Sequence, residues 1–136
     1  MFSVGLFACA DASCAEQRIG CQPEYPGKEL SLAIVPHDWT FIAPSKLLLA
    51  SMFVVVGPPA ERGILQGDHY KLKKKGAYEV RFKHLNLIRE YDKWIACSYS
   101  SDDIQIVRRL PPEVEQCIVT YTPGPQGQPA IDAVCK

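Results

Sequence analysis

Residues 78–84 alternate: Tyr78, Val80 and Phe82 are separated by Glu79, Arg81 and Lys83. Successive strand side chains point to opposite faces, so a period of two predicts a half-buried antiparallel strand. Further apolar runs occupy 94–99, 104–110 and 117–121, and another at 131–135 closes the chain. Two earlier runs lie at 30–35 and 47–56, the second ending in Val54-Val55-Val56, whose β-branched side chains favour strand over helix. Turn chemistry separates the runs: Pro23-Glu24-Tyr25-Pro26-Gly27, Pro36, Gly57-Pro58-Pro59, Ser100-Ser101-Asp102-Asp103, Pro111-Pro112 and Pro123-Gly124-Pro125-Gln126-Gly127. Short strands at such intervals predict a mostly β fold, an antiparallel meander forming a small sandwich or barrel. Helix is limited to at most one short segment, at 85–91.

Length and composition keep this picture simple. The chain of 136 residues suits one domain, and no repeat or linker divides it. Hydrophobic residues make up 47% and charged residues 22%, enough to build an ordinary globular core. Lysine plus arginine total 15 and the acids 15, so the chain lacks the basic surplus that attracts nucleic acid or an anionic membrane. Nucleic acid is therefore not an expected partner.

The 6 cysteines change the picture more. None forms a C-x-x-C pair, which removes support for zinc ribbons and thioredoxin-like redox sites. Strand alternation places Cys97 with Ile95 and Tyr99, Cys117 with Val119 and Tyr121, and Cys135 with Ile131 and Ala133. Each thiol thus points to the apolar side, where a disulfide between packed strands would lie. Cys21, just before the first apolar run, completes a set of four, and four cysteines allow three connectivities. Closing a loop of about 20 residues, such as that between Cys97 and Cys117, would contribute roughly 3 kcal/mol. Buried free thiols are the competing structural reading. Disulfides imply the periplasm or the cell exterior.

Residues 2–10 are apolar and small, and Ala10-Asp11-Ala12 matches the A-x-A pattern of signal-peptidase sites. Leu6-Phe7-Ala8-Cys9 also matches a lipoprotein processing site, and only lipidation of Cys9 would bring the protein to a membrane. Residues 1–12 accordingly read as a partial signal or leader lacking a positive n-region, and 13–136 as a single β-rich domain. The alternative is a buried first strand in a cytosolic protein. No later stretch approaches the ~20 apolar residues of a membrane-spanning helix.

Motifs for chemistry are missing. The chain has no G-x-S-x-G, Walker, dinucleotide or H-E-x-x-H pattern, and His37, His69 and His84 stand alone. No catalytic, metal-binding or cofactor-binding residue is assigned, and no cofactor is expected. His84 reads as a core or rim histidine. Asp102 and Asp103, if on a strand, would point to opposite faces and share neither proton nor ion; in a turn they cap backbone N–H groups. Lys73-Lys74-Lys75 before Gly76 is a solvated turn or one lip of a surface for an acidic partner. Of Arg108 and Arg109, alternation turns one outward and the other toward the core side, and arginine is favoured at interfaces. Trp39 and Trp94 read as core, with Trp94 partly exposed.

The order of features is more distinctive than any one of them. Cys21 opens the domain and Trp39 follows, then an apolar strand runs into Gly57-Pro58-Pro59. Next come Trp94-Ile95-Ala96-Cys97-Ser98-Tyr99, Arg109-Leu110-Pro111, Cys117 and Cys135. Over roughly residues 21–135 this resembles small disulfide-containing bacterial periplasmic proteins encoded near type VI secretion clusters. Cys9 and Cys14 lie outside the shared pattern. The resemblance implies a periplasmic immunity protein that neutralises a secreted effector by occluding its active site, the effector targeting peptidoglycan and, for some members, L,D-transpeptidase-like. It supplies structural positions only; contacts with the effector are expected from a loop or edge that enters a cleft. The segment 61–68 and the turns at 73–75 and 100–103 are the candidates, with Arg62, Asp68, Lys73, Lys74, Lys75, Ser101, Asp102, Asp103 and Arg108 as contact residues. Three other readings stand beside this one: an inhibitor of lysozyme-type hydrolases, an enzyme with Cys97 or Cys117 as nucleophile, and a structural envelope component.

Overall fold

The apolar alternation becomes strand nearly everywhere it was read. The computed structural model describes residues 16–101 and 104–136, so the readings on 1–12, Cys9, Cys14, Asp102 and Asp103 lie outside the described residues. The strands are β1 (Gln17–Gly20), β2 (Glu24–Pro26), β3 (Lys46–Val56), β4 (Asp68–Lys71), β5 (Tyr78–Phe82), β6 (Lys93–Tyr99), β7 (Ile104–Arg109), β8 (Cys117–Thr122) and β9 (Ala130–Cys135). They form a five-stranded sheet in the order β1-β9-β8-β5-β4 and a four-stranded sheet in the order β2-β3-β6-β7. The fold is mostly β and antiparallel, curled into a half-barrel, and among the described residues helix is limited to short 3-10 turns.

The core lies between the inner faces of the sheets. Met52 and Val54 of β3, and Ile95 and Tyr99 of β6, meet Val80 and Phe82 of β5, Val119 of β8 and Ala133 of β9. Each large apolar side chain buried here contributes about 1.5–3 kcal/mol. The cysteines pair as Cys21–Cys97 and Cys117–Cys135, one of the three connectivities open to the sequence. Cys117 and Cys135 are direct register partners on β8 and β9. Cys21–Cys97 ties the segment between β1 and β2 to β6 across a sequence separation of 76.

Where β2 ends, the exposed edge of β3 is closed by other groups. Tyr121 of the opposite sheet accepts from the Met52 N–H at 3.1 Å and donates to the Met52 carbonyl at 3.0 Å. The Leu65 N–H donates to the Val54 carbonyl, and the Val56 N–H to the Gly63 carbonyl. One phenol and one loop thus satisfy buried backbone groups that a strand would otherwise take.

Two expected elements are absent. The segment 85–91 forms only the 3-10 turn Leu85–Leu87, because Leu85 is anchored in the core and its N–H donates to the Glu115 carbonyl. The run 30–35 is not a strand but part of an exposed loop, since β2 and the groups just described occupy the edge of β3 beside it. Trp39 rides on that loop and is solvent-exposed, which corrects its assignment to the core. Arg108 and Arg109 are both exposed, because β7 is the edge of its sheet and neither side chain is covered. Arg109 donates to the Asp92 carboxylate at 2.8 Å. Trp94 is half-buried and His84 sits exposed at the rim beyond β5.

Candidate functional site

The first notable surface is the loop between β2 and β3. The Gly27 N–H donates to the Ser45 carbonyl at 2.9 Å, which pins the two feet together. A Cβ at position 27 would stand 1.5 Å from the Pro44 carbonyl oxygen, so only glycine permits this approach. Half-buried Leu30 and Phe41 close the base, and residues 31–40 are exposed throughout. A turn in which the Trp39 N–H donates to the Pro36 carbonyl presents the indole. Ile34 is 84%, Trp39 75% and Ile42 85% exposed, with Leu32 and Val35 beside them in the same loop. So many large apolar side chains in one projecting loop form a surface that gains free energy on being covered.

The second surface is the β4–β5 hairpin. Register places His69 and Lys71 on the same face as Val80 and Tyr78, the inner face of the sheet. Val80 is buried while His69 and Lys71 are exposed, so β4 overhangs the opposite sheet. Below the overhang is a concavity of about 670 Å³ lined by His69, Tyr70, Lys71, Lys74, Lys75 and Tyr78, with Leu72, Gly76 and Ala77. It adjoins one of about 390 Å³ at Ile64, Leu65 and His69, and one of about 260 Å³ at Tyr78, Tyr121 and Pro129. Tyr78 is stacked between its neighbours, 4.7 Å from Tyr121 and 6.2 Å from His69 by ring centroids.

On the outer face of the hairpin the charges are paired. Arg81 binds the Glu79 carboxylate and lies 4.2 Å over the Tyr70 ring. Lys83 donates to the Tyr70 hydroxyl at 3.1 Å and stands 3.7 Å from Asp68. The bond to Tyr70 raises the Lys83 ammonium above its ordinary pKa. The lysines of the tip differ: among the described residues no ion pair involves Lys71, Lys73, Lys74 or Lys75.

The expected contact residues do not converge. Lys73, Lys74 and Lys75 form the turn of the β4–β5 hairpin, with Asp68 at the other end of β4. Arg62 follows the 3-10 turn Pro59–Glu61 and adopts a left-handed backbone conformation. Ser101 lies in the β6–β7 turn, and Arg108 on the edge strand opposite Ile95, both in the other sheet. The apolar loop was missed because its run of Leu and Ile closed by Pro36 has the composition of a strand. The one sequence signal was Trp39 following Pro36-His37-Asp38, turn chemistry that displays a large aromatic.

Cys97 and Cys117 are both disulfide-bonded, so neither supplies the free thiolate required by the Cys-dependent enzyme reading. Among the described residues no group of three His, Cys, Asp or Glu side chains could hold a metal ion. The fold and surfaces define a disulfide-stapled antiparallel β scaffold whose distinctive chemistry lies on a projecting loop and an overhanging hairpin.

A family model places that scaffold. The model for type VI secretion system Tli immunity proteins matches residues 44–136, well over half of the chain, and the protein belongs to that family. No curated protein and no solved structure matches it. Membership implies a type VI secretion immunity protein that binds a cognate effector. Its disulfides are consistent with the periplasm.

Proposed function

We propose that this protein is a periplasmic immunity protein that neutralises its cognate effector by one-to-one binding, without catalysis, its loop of residues 31–42 entering the effector's active-site cleft. The observation that carries this reading is the loop itself: feet pinned at Gly27 and Ser45, and an apolar tip held clear of both sheets. Pinned feet lower the ordering cost of binding, and an aromatic anchor such as Trp39 is the residue type that dominates interface energetics. The family match begins at residue 44, where the loop returns to β3. From the sequence resemblance we take the effector to act on peptidoglycan, with residues 1–12 as part of the export leader. Inhibition of lysozymes is the second reading; those targets are basic, and a chain of zero net charge offers them no acidic surplus.

Calorimetric titration of the effector encoded beside this gene with the oxidised protein tests the proposal. One-to-one binding of nanomolar affinity is expected, with loss of effector activity on purified sacculi in the saturated complex. The double substitution Trp39→Ala/Ile42→Ala should weaken binding by roughly 100-fold or more and abolish protection in cells. Full enzymatic activity in the saturated complex would rule out occlusion, and unchanged affinity of the double variant would rule out the loop.

A further inference from the structure

We infer that the groove under the β4–β5 hairpin is a second contact with the effector, and that it receives an extended acidic segment laid along β4 with its carboxylates on Lys71, Lys74 and Lys75. This inference rests on the effector-binding reading and adds the chemistry of what is bound. Three observations carry it.

The first is charge. The chain is neutral overall, yet four lysines fall within residues 71–75 and no acid lies between His69 and Tyr78. The flanking acids, Asp68 and Glu79, are held on the outer face by Lys83 and Arg81. Among the described residues the cations facing the groove therefore have no ion-pair partner.

The second is shape and edge. Among the described residues β4 ends its sheet, and all four of its residues are exposed. Its outer backbone edge can accept an added strand, while the concavities joined through His69 and Tyr78 run below its inner side chains.

The third distinguishes a peptide from a sugar. A sugar ring needs an open aromatic face, but Tyr78 is stacked between His69 and Tyr121, and Arg81 lies over one face of Tyr70. What the groove presents is ring edges, hydroxyls and ammonium groups, donors suited to carboxylates.

The test uses the full protein with Lys71→Glu/Lys74→Glu/Lys75→Glu, in an exposed turn and edge where folding should survive and can be checked by thermal melting. Association with the effector is followed by stopped flow at low and high salt, beside the Trp39→Ala/Ile42→Ala variant. Roughly a tenfold or greater fall in association rate at low salt, with a flattened salt dependence, is the expected result. A labelled poly-Glu peptide should bind the wild-type protein in fluorescence anisotropy and not the triple variant. An unchanged rate and salt slope in the triple variant, while the loop variant loses binding, would overturn this inference and leave the function standing. Self-association of the triple variant at an unchanged effector rate would also overturn it, by showing that the lysines only guard the β4 edge. If the wild-type protein does not bind the effector at all, the functional reading fails and this inference with it.

Discussion

The ammonium of Lys93 donates to the Leu85 carbonyl at 2.7 Å and to the Ile88 and Pro112 carbonyls at 3.2 Å each, tying two connecting segments to the start of β6. The residue is only 3% exposed, and of its acceptors Leu85 is buried, Ile88 half-buried and Pro112 exposed. Lys93→Met keeps most of the stem and removes the donors, leaving the buried Leu85 carbonyl unpaired; a loss of about 1–3 kcal/mol in urea unfolding is expected. Tyr99 adds a pH dependence. Burial first, and then the neighbouring Tyr25, push its phenol up to about 12. Unfolded tyrosine titrates near 10, so the native state holds this proton more tightly. The contribution is complete below pH ~10 and is lost as pH rises through about 12. Urea midpoints measured from pH 9 to 11.5 should fall, and Tyr99→Phe should flatten the fall. Lys93 gave no sign of its role in the sequence, since burial of a lysine depends on carbonyls that only folding assembles.

Among elements, the two disulfides constrain different lengths of chain. For separations of 76 and 18 residues, the chain-entropy model assigns about 4.5 kcal/mol to Cys21–Cys97 and about 3 kcal/mol to Cys117–Cys135. Paired Cys→Ser variants should show that order in urea unfolding, and equal losses would argue against an entropic origin. Gly27→Ala places a methyl against the Pro44 carbonyl and forces the loop feet apart; a loss above about 1 kcal/mol is expected, with weaker effector binding. Strands β3, β5, β6, β7, β8 and β9 were legible because their apolar spacing matches the period they adopt. β4 was not, because Asp68, His69, Tyr70 and Lys71 are all exposed and carry no burial signal. The run 30–35 failed the other way, having strand composition without a sheet edge left to join.

For the molecule as a whole, stability and recognition reside in different places. The core and disulfides hold the sandwich, whereas the residues proposed for binding are exposed at the projecting loop and the hairpin tip. Trp39→Ala/Ile42→Ala should therefore change unfolding free energy by no more than about 0.5 kcal/mol while removing affinity. A large drop in melting temperature would show instead that the loop packs against the body. Local spacing and composition by themselves determined the β class, the antiparallel pattern, the inward-facing cysteines and the order of motifs, because alternation and turn chemistry act between near neighbours in the chain. Tertiary structure alone decided the disulfide pairs, the exposure of Trp39 and the groove beneath β4. Each depends on which segments meet after the edges of two sheets have been taken, and that competition spans the whole chain.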